Sequence, residues 1–74
     1  MAKIEIDNRG LAPPEPMVRI LSGLKELNAG DELVALMDRE PRMLFPELER
    51  RGFTWEFAAE GDGGVLTVRR LASE

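Results

Sequence analysis

The sequence predicts an α/β (α+β) two-layer sandwich, a four-stranded mixed sheet of β-α-β-α-β-β order with two helices on one face. Three observations carry this. Lys3-Ile4-Glu5-Ile6-Asp7 alternates charge with β-branched residues, the period-two signature of a half-buried strand. Leu33-Val34-Ala35-Leu36-Met37 is a continuous apolar run of strand length, which suits a strand buried on both sides. Phe53, Trp55 and Phe57 alternate with Thr54, Glu56 and Ala58 ahead of Gly61-Asp62-Gly63-Gly64, the pattern of a strand running into a hairpin.

The elements follow in order. After the first strand, Asn8-Arg9-Gly10 is turn-rich, and Pro13, Pro14 and Pro16 crowd where prolines suit only a loop or a first helical turn. A helix therefore begins there. Met17, Ile20, Leu21, Leu24 and Leu27 recur at three-and-four spacing and form its inner face. Asn28 or Gly30 is its expected end, both being tolerant of left-handed backbone. With the apolar run that follows, this makes a βαβ unit, which is right-handed almost without exception and sets its two strands parallel.

The second helical segment spans residues 42–51, with Leu44, Phe45 and Leu48 inward and Gly52 as its stop. Pro46 lacks an amide donor, so an irregular turn over residues 41–45 is expected before the regular helix. The last strand begins at Val65, and Ser73-Glu74 forms a short polar tail. Both helices need a face to cover, and the simplest solution places them together on one side of the sheet. One point stays open, because the second strand is apolar on both parities. Either Val34 and Leu36 or Leu33, Ala35 and Met37 must face away from the helices. The former would lie on an open side shared with Lys3, Glu5, Thr54, Glu56, Val65, Thr67 and Arg69.

Composition narrows the chemistry. Hydrophobic residues make up 43% of the chain against 32% charged, which places it with globular rather than disordered sequences. Residues 1–74 are read as a single domain. Cysteine and histidine are both missing, so disulfides, Cys/His zinc sites, thiol nucleophiles and imidazole bases are excluded by inventory. The net charge of −4 opposes the counterion release on which nucleic-acid binding depends. No apolar run approaches a membrane span, and residues 1–7 read as a strand rather than a signal peptide. A cytoplasmic location is the expectation.

The segment Ile6-Asp7-Asn8-Arg9-Gly10-Leu11-Ala12-Pro13-Pro14-Glu15-Pro16 resembles the hallmark of the TusA (SirA-like) sulfur-carrier family, which runs apolar-Asp-x-x-Gly-Leu-x-Cys-Pro-x-Pro. Asp7, Gly10, Leu11, Pro14 and Pro16 match it. Gly30-Asp31-Glu32-Leu33 and Asp38-Arg39-Glu40-Pro41 resemble the later loops of that family. The resemblance implies the same two-layer β-α-β-α-β-β fold. It also implies a departure, because the sulfur-carrying cysteine of the family falls on Pro13. A persulfide needs a nucleophilic sulfur, which neither proline nor the thioether of Met17 supplies. The chain looks like a cysteine-less bacterial branch of the family, with Pro-Pro-Glu-Pro at the motif and Arg51-Gly52-Phe53-Thr54-Trp55 later.

The candidate site residues are Arg9, Gly10, Pro13, Pro14, Glu15, Pro16, Arg39 and Arg42. Pro13 to Pro16 either form a rigid recognition surface or simply preset the start of the helix, each compatible proline contributing about 0.4–1 kcal/mol through the unfolded state. Parallel strands also end at one sheet edge, where Asp7, Arg9, Glu15, Asp38, Arg39, Glu40 and Arg42 converge either as a ligand site or as an ion-pair network holding two loops. Asp7 is alternatively a loop cap. Asp38 and Glu40 suggest a hard-cation pair, but two carboxylates do not make a site. Arg50, Arg51, Arg69 and Arg70 suggest an anion reader if they lie together. Met17, Met37 and Met43 read as core filler, and Trp55 as the largest single burial.

These residues lead to a non-catalytic binding or regulatory module, without catalytic residues, metal or cofactor. An unknown protein is the expected partner of a monomer or weak dimer; membrane is excluded and nucleic acid disfavoured. The alternatives are an accessory component that docks a cysteine-bearing partner of a sulfur-transfer or redox system, and RNA binding by fold analogy.

Overall fold

A computed structural model describes residues 3–70; Met1 and Ala2, and the polar tail read at Ser73 and Glu74, lie outside the described residues. Its elements are β1 (Lys3–Asp7), α1 (Glu15–Leu24), β2 (Glu32–Met37), α2 (Phe45–Arg50), β3 (Phe53–Glu60) and β4 (Gly63–Arg70). The strands form one mixed sheet in the order β1-β2-β4-β3. β1 and β2 are parallel, and β4 is antiparallel to both β2 and β3. The architecture is that expected from periodicity.

Register decides the parity of β2. Leu33, Ala35 and Met37 are buried, alongside Leu66 and Val68 of β4. Ile20, Leu24, Leu27, Leu44 and Leu48 join them in one core cluster, and Ile4, Ile6, Trp55 and Phe57 pack against it. Val34 and Leu36 therefore lie on the open face, with Val34 opposite Thr67 and Leu36 opposite Val65. α1 seats tightly over β1 and β2: a Cβ at Gly23 would meet Leu33 Cδ1 at 2.7 Å. α2 lies over β3, where Phe45 and Trp55 stack with centroids 5.4 Å apart.

Two expectations need correction. α1 ends at Leu24, short of Asn28 or Gly30. Beyond it, the amides of Glu26 and Leu27 reach only three residues back, to Gly23 and Leu24 (3.1 and 3.2 Å), a tightened last turn. The Asp31 carboxylate takes the Asn28 amide (2.9 Å) and Arg70 donates to the Leu27 carbonyl (2.8 Å). These partners satisfy groups that a longer helix would use. Leu27 stays buried all the same. Met43 is not core filler, being 86% exposed. The turn closed by the Leu44 amide on the Pro41 carbonyl (3.0 Å) sends Leu44 inward and its neighbour out. Trp55 is half-buried and packs against the core from the edge strand β3.

Arg70 pairs with Phe53, two residues after Arg51, so the arginines lie at one end of the molecule, each engaged by a partner. Arg50 and Arg51 both pair with Glu47, Arg69 with Glu32 and Glu56, and Arg70 binds the Leu27 carbonyl. The expected irregular turn before α2 is present, and Pro46 falls in the first turn, where its missing donor costs nothing. Among the described residues no helix is long and apolar enough to cross a membrane.

Candidate functional site

β1, β2 and β3 all end at the same edge of the sheet, where α1 and α2 begin and the β3–β4 hairpin turns. Open α/β sheets favour sites beyond strand carboxyl ends. Three ties build this edge. Asp7, the last residue of β1, accepts the Arg9 amide (3.1 Å) and both Nε and Nη2 of the Arg9 side chain (2.9 Å each). Gly10, at φ +79°, takes a left-handed conformation that glycine adopts without the Cβ penalty. Its amide donates to Asp38 Oδ2 at 2.6 Å, linking the β1–α1 loop to the end of β2. Arg19 of α1 reaches back to the Asp7 carbonyl at 3.0 Å.

Asn8 lies beneath these ties and is 1% exposed. Its amide donates to the Leu36 carbonyl (2.9 Å), and its Nδ2 donates to the Pro16 carbonyl (3.0 Å), with Met37 Sδ at 3.6 Å. One side chain thus fixes the first turn of α1 against β2. Nothing in the sequence separated Asn8 from an ordinary turn asparagine, because its burial depends on where Pro16 and Met37 meet. Asp7 does act as a loop cap. The hydrogen bonds from the Arg9 side chain and amide hold its carboxyl down, from the ordinary 3.8 to about 2. The same bonds raise Arg9 above its ordinary value.

Of the candidates, Arg9 and Gly10 belong to this tied network. Pro13, Pro14 and Glu15 are exposed at the mouth of α1, and Pro16 is half-buried. Pro14 is the N-cap residue and makes no side-chain hydrogen bond. Arg42 pairs separately with Glu40 (3.2 Å). Arg39 and Glu15 make no ion pair among the described residues. Asp38 is taken by Gly10 and Glu40 by Arg42, so the two carboxylates do not act as a cation pair. Among the described residues no group of three or more carboxylates is placed to hold a metal ion.

A feature missed in the sequence lies beside this edge, on the open face. An open hollow of about 280 Å³ is lined by Leu36 and Val65, by Asp38, Glu60 and Asp62, and by Arg9. In the sequence Asp62 reads as a hairpin residue, and Glu60 carries no signal of its own. Only the pairing of Glu60 with Gly63 and of Leu36 with Val65 brings them to the rim of an apolar floor.

Fold and edge together define a small two-layer α+β domain whose strand-end loops are tied rigidly and whose outer side chains stand in solvent. The chain belongs to the family described as uncharacterized conserved protein (DUF2249), whose model matches residues 5–70. No curated protein and no solved structure matches it.

Proposed function

We propose that this chain is a non-catalytic protein-binding or regulatory module that docks its partner through the strand-end edge. The observation that carries this reading is the Gly10–Asp38 tie. It holds two loops in one geometry while Pro13, Pro14, Glu15, Arg39, Arg42 and Met43 remain exposed. A surface ordered before binding loses little entropy on docking, and arginine and methionine are enriched at interfaces. The lack of thiol and imidazole supports binding over catalysis, and the net charge of −4 supports a protein over a nucleic acid. The resemblance to TusA-like carriers supports a scaffold that keeps the carrier's motif loop with Pro13 in the thiol position. A cytoplasmic monomer or weak dimer fits this reading.

The test is affinity capture from the native host with three baits: the unaltered chain, Arg39→Glu and Met43→Asp. A partner recovered by the first and lost by both folded variants supports edge docking. Retention by both variants sinks it. A captured protein with a reactive cysteine supports the accessory role in sulfur transfer.

A further inference from the structure

The negative excess of the described residues lies on the sheet face away from the helices. Glu5, Asp7, Glu32, Glu56 and Glu60 with Lys3 and Arg69 on the strands, and Asp38 and Asp62 with Arg9 around the hollow, make seven carboxylates and three cations; the remaining described residues hold six carboxylates and seven cations. The face is therefore net −4 and the rest of the described chain net +1. Low on the face, Arg69 pairs with Glu32 at 3.2 Å and with Glu56 at 2.8 Å, and Lys3 lies in register with Glu32. The unpaired carboxylates lie from the row of Glu5 upward. Asp7 is neutralised by Arg9, whereas Glu5, Asp38, Glu60 and Asp62 have no ion pair among the described residues.

Those unneutralised carboxylates border an apolar stripe. Val34, Leu36 and Val65 are half-buried and adjacent on β2 and β4, and Leu36 and Val65 floor the hollow that Asp38, Glu60 and Asp62 rim. An apolar centre with a charged rim is the composition of an interface. The sign selects the occupant. A second copy would bring its own net −4 face against this one, and like charge across an interface is strongly unfavourable. Anionic polymers are repelled for the same reason.

We infer that the open face is a second docking surface, adjoining the strand-end loops at Arg9 and Asp38, for a basic protein segment whose lysines or arginines meet Glu5, Glu60 and Asp62. An aliphatic side chain of that segment sits on Leu36 and Val65. The apolar floor distinguishes such a segment from a bare polycation.

The probe is a short synthetic peptide with four lysines and two leucines, compared with the same peptide carrying serine for leucine and with spermine. Amide shifts of the ¹⁵N-labelled chain are expected at Val34, Leu36, Asp38, Glu60, Asp62 and Val65. The leucine peptide should bind roughly tenfold or more tighter than its serine counterpart, the scale of burying one large aliphatic group. Glu60→Gln with Asp62→Asn should weaken binding and flatten its salt dependence. Leu36→Gln should weaken the leucine peptide alone at unchanged net charge, with Val65→Thr as a second variant if Leu36→Gln fails to fold. Arg39→Ala should leave peptide binding within about twofold, because that residue belongs to the edge surface. Equal binding of all three probes would overturn the inference, as would shifts spread over Glu15, Glu47 and Glu49 or no effect of either apolar variant.

Discussion

Asp7, Arg9 and Asn8 show how three consecutive residues serve different ends. Asp7 and Arg9 are exposed, so their pair matters through geometry and pH rather than through buried energy. The sign follows from the depressed Asp7 carboxyl, at about 2 against an ordinary 3.8. Its contribution to stability is complete above the ordinary value and is lost as pH falls through about 2. A carboxyl-detected NMR titration should place the Asp7 midpoint near 2, and Arg9→Gln should return it toward the ordinary value. An unshifted midpoint in the unaltered chain would remove the tie. Asn8 is the opposite case, because it is buried and bonds the Pro16 carbonyl. Asn8→Ala should lower stability by roughly 1 kcal/mol through loss of this buried hydrogen bond. Urea unfolding should show this as a lower midpoint at unchanged slope.

At the scale of elements, the tightest constraint lies where β4 passes between β2 and β3. A Cβ at Gly63 would fall within van der Waals distance of the Met37 carbonyl oxygen, and one at Gly64 would meet the Ala58 carbonyl and the Phe57 ring. The obstacles are mostly backbone, which cannot rotate aside. Gly64→Ala should therefore cost about 1–3 kcal/mol, whereas Arg39→Glu on an exposed loop should stay within about 0.5 kcal/mol. Thermal unfolding of the two variants checks the contrast, and equal losses would contradict it.

The strands and their succession along the chain were legible because alternation such as Ile4 and Ile6 against Lys3, Glu5 and Asp7 reports one buried face directly, whereas alternation says nothing of their order in the sheet. Parity in β2 was not legible, since Val34 and Leu36 are as apolar as Leu33, Ala35 and Met37. Only pairing with β4 separates them. The early stop of α1 was hidden for a related reason. Leu27 keeps helical spacing, but Arg70, 43 residues further on, supplies a partner for its carbonyl. Met43 and Leu44 are neighbouring apolar residues, and the direction of the turn alone decides which is buried. Of the site, the convergence of the strand-end loops was readable from topology. The Gly10–Asp38 bond and the burial of Asn8 were not, because both depend on loop conformation rather than on residue type or spacing.

For the whole molecule, the two helices lie over one face of the sheet, and the two proposed docking surfaces are the strand-end edge and the open face. The missing thiol gives a chemical expectation at this scale. Incubation with a cysteine desulfurase and radiolabelled cysteine should leave the protein unlabelled, since neither Pro13 nor any other residue supplies a thiol. Stable sulfur transfer onto the chain would contradict that. Pro13→Cys should become labelled by thiol reagents, because position 13 is exposed. Docking of a protein partner on the tied loops at the strand-end edge is tested by an amide-shift titration of the ¹⁵N-labelled chain with the partner recovered by affinity capture. Perturbations are expected at Arg9, Gly10, Glu15, Arg39, Arg42 and Met43, on and beside the two loops that the Gly10–Asp38 bond joins. Perturbations confined to the outward positions of α1 and α2, such as Ser22, Lys25, Glu49 and Arg50, with the edge amides unmoved, would contradict it.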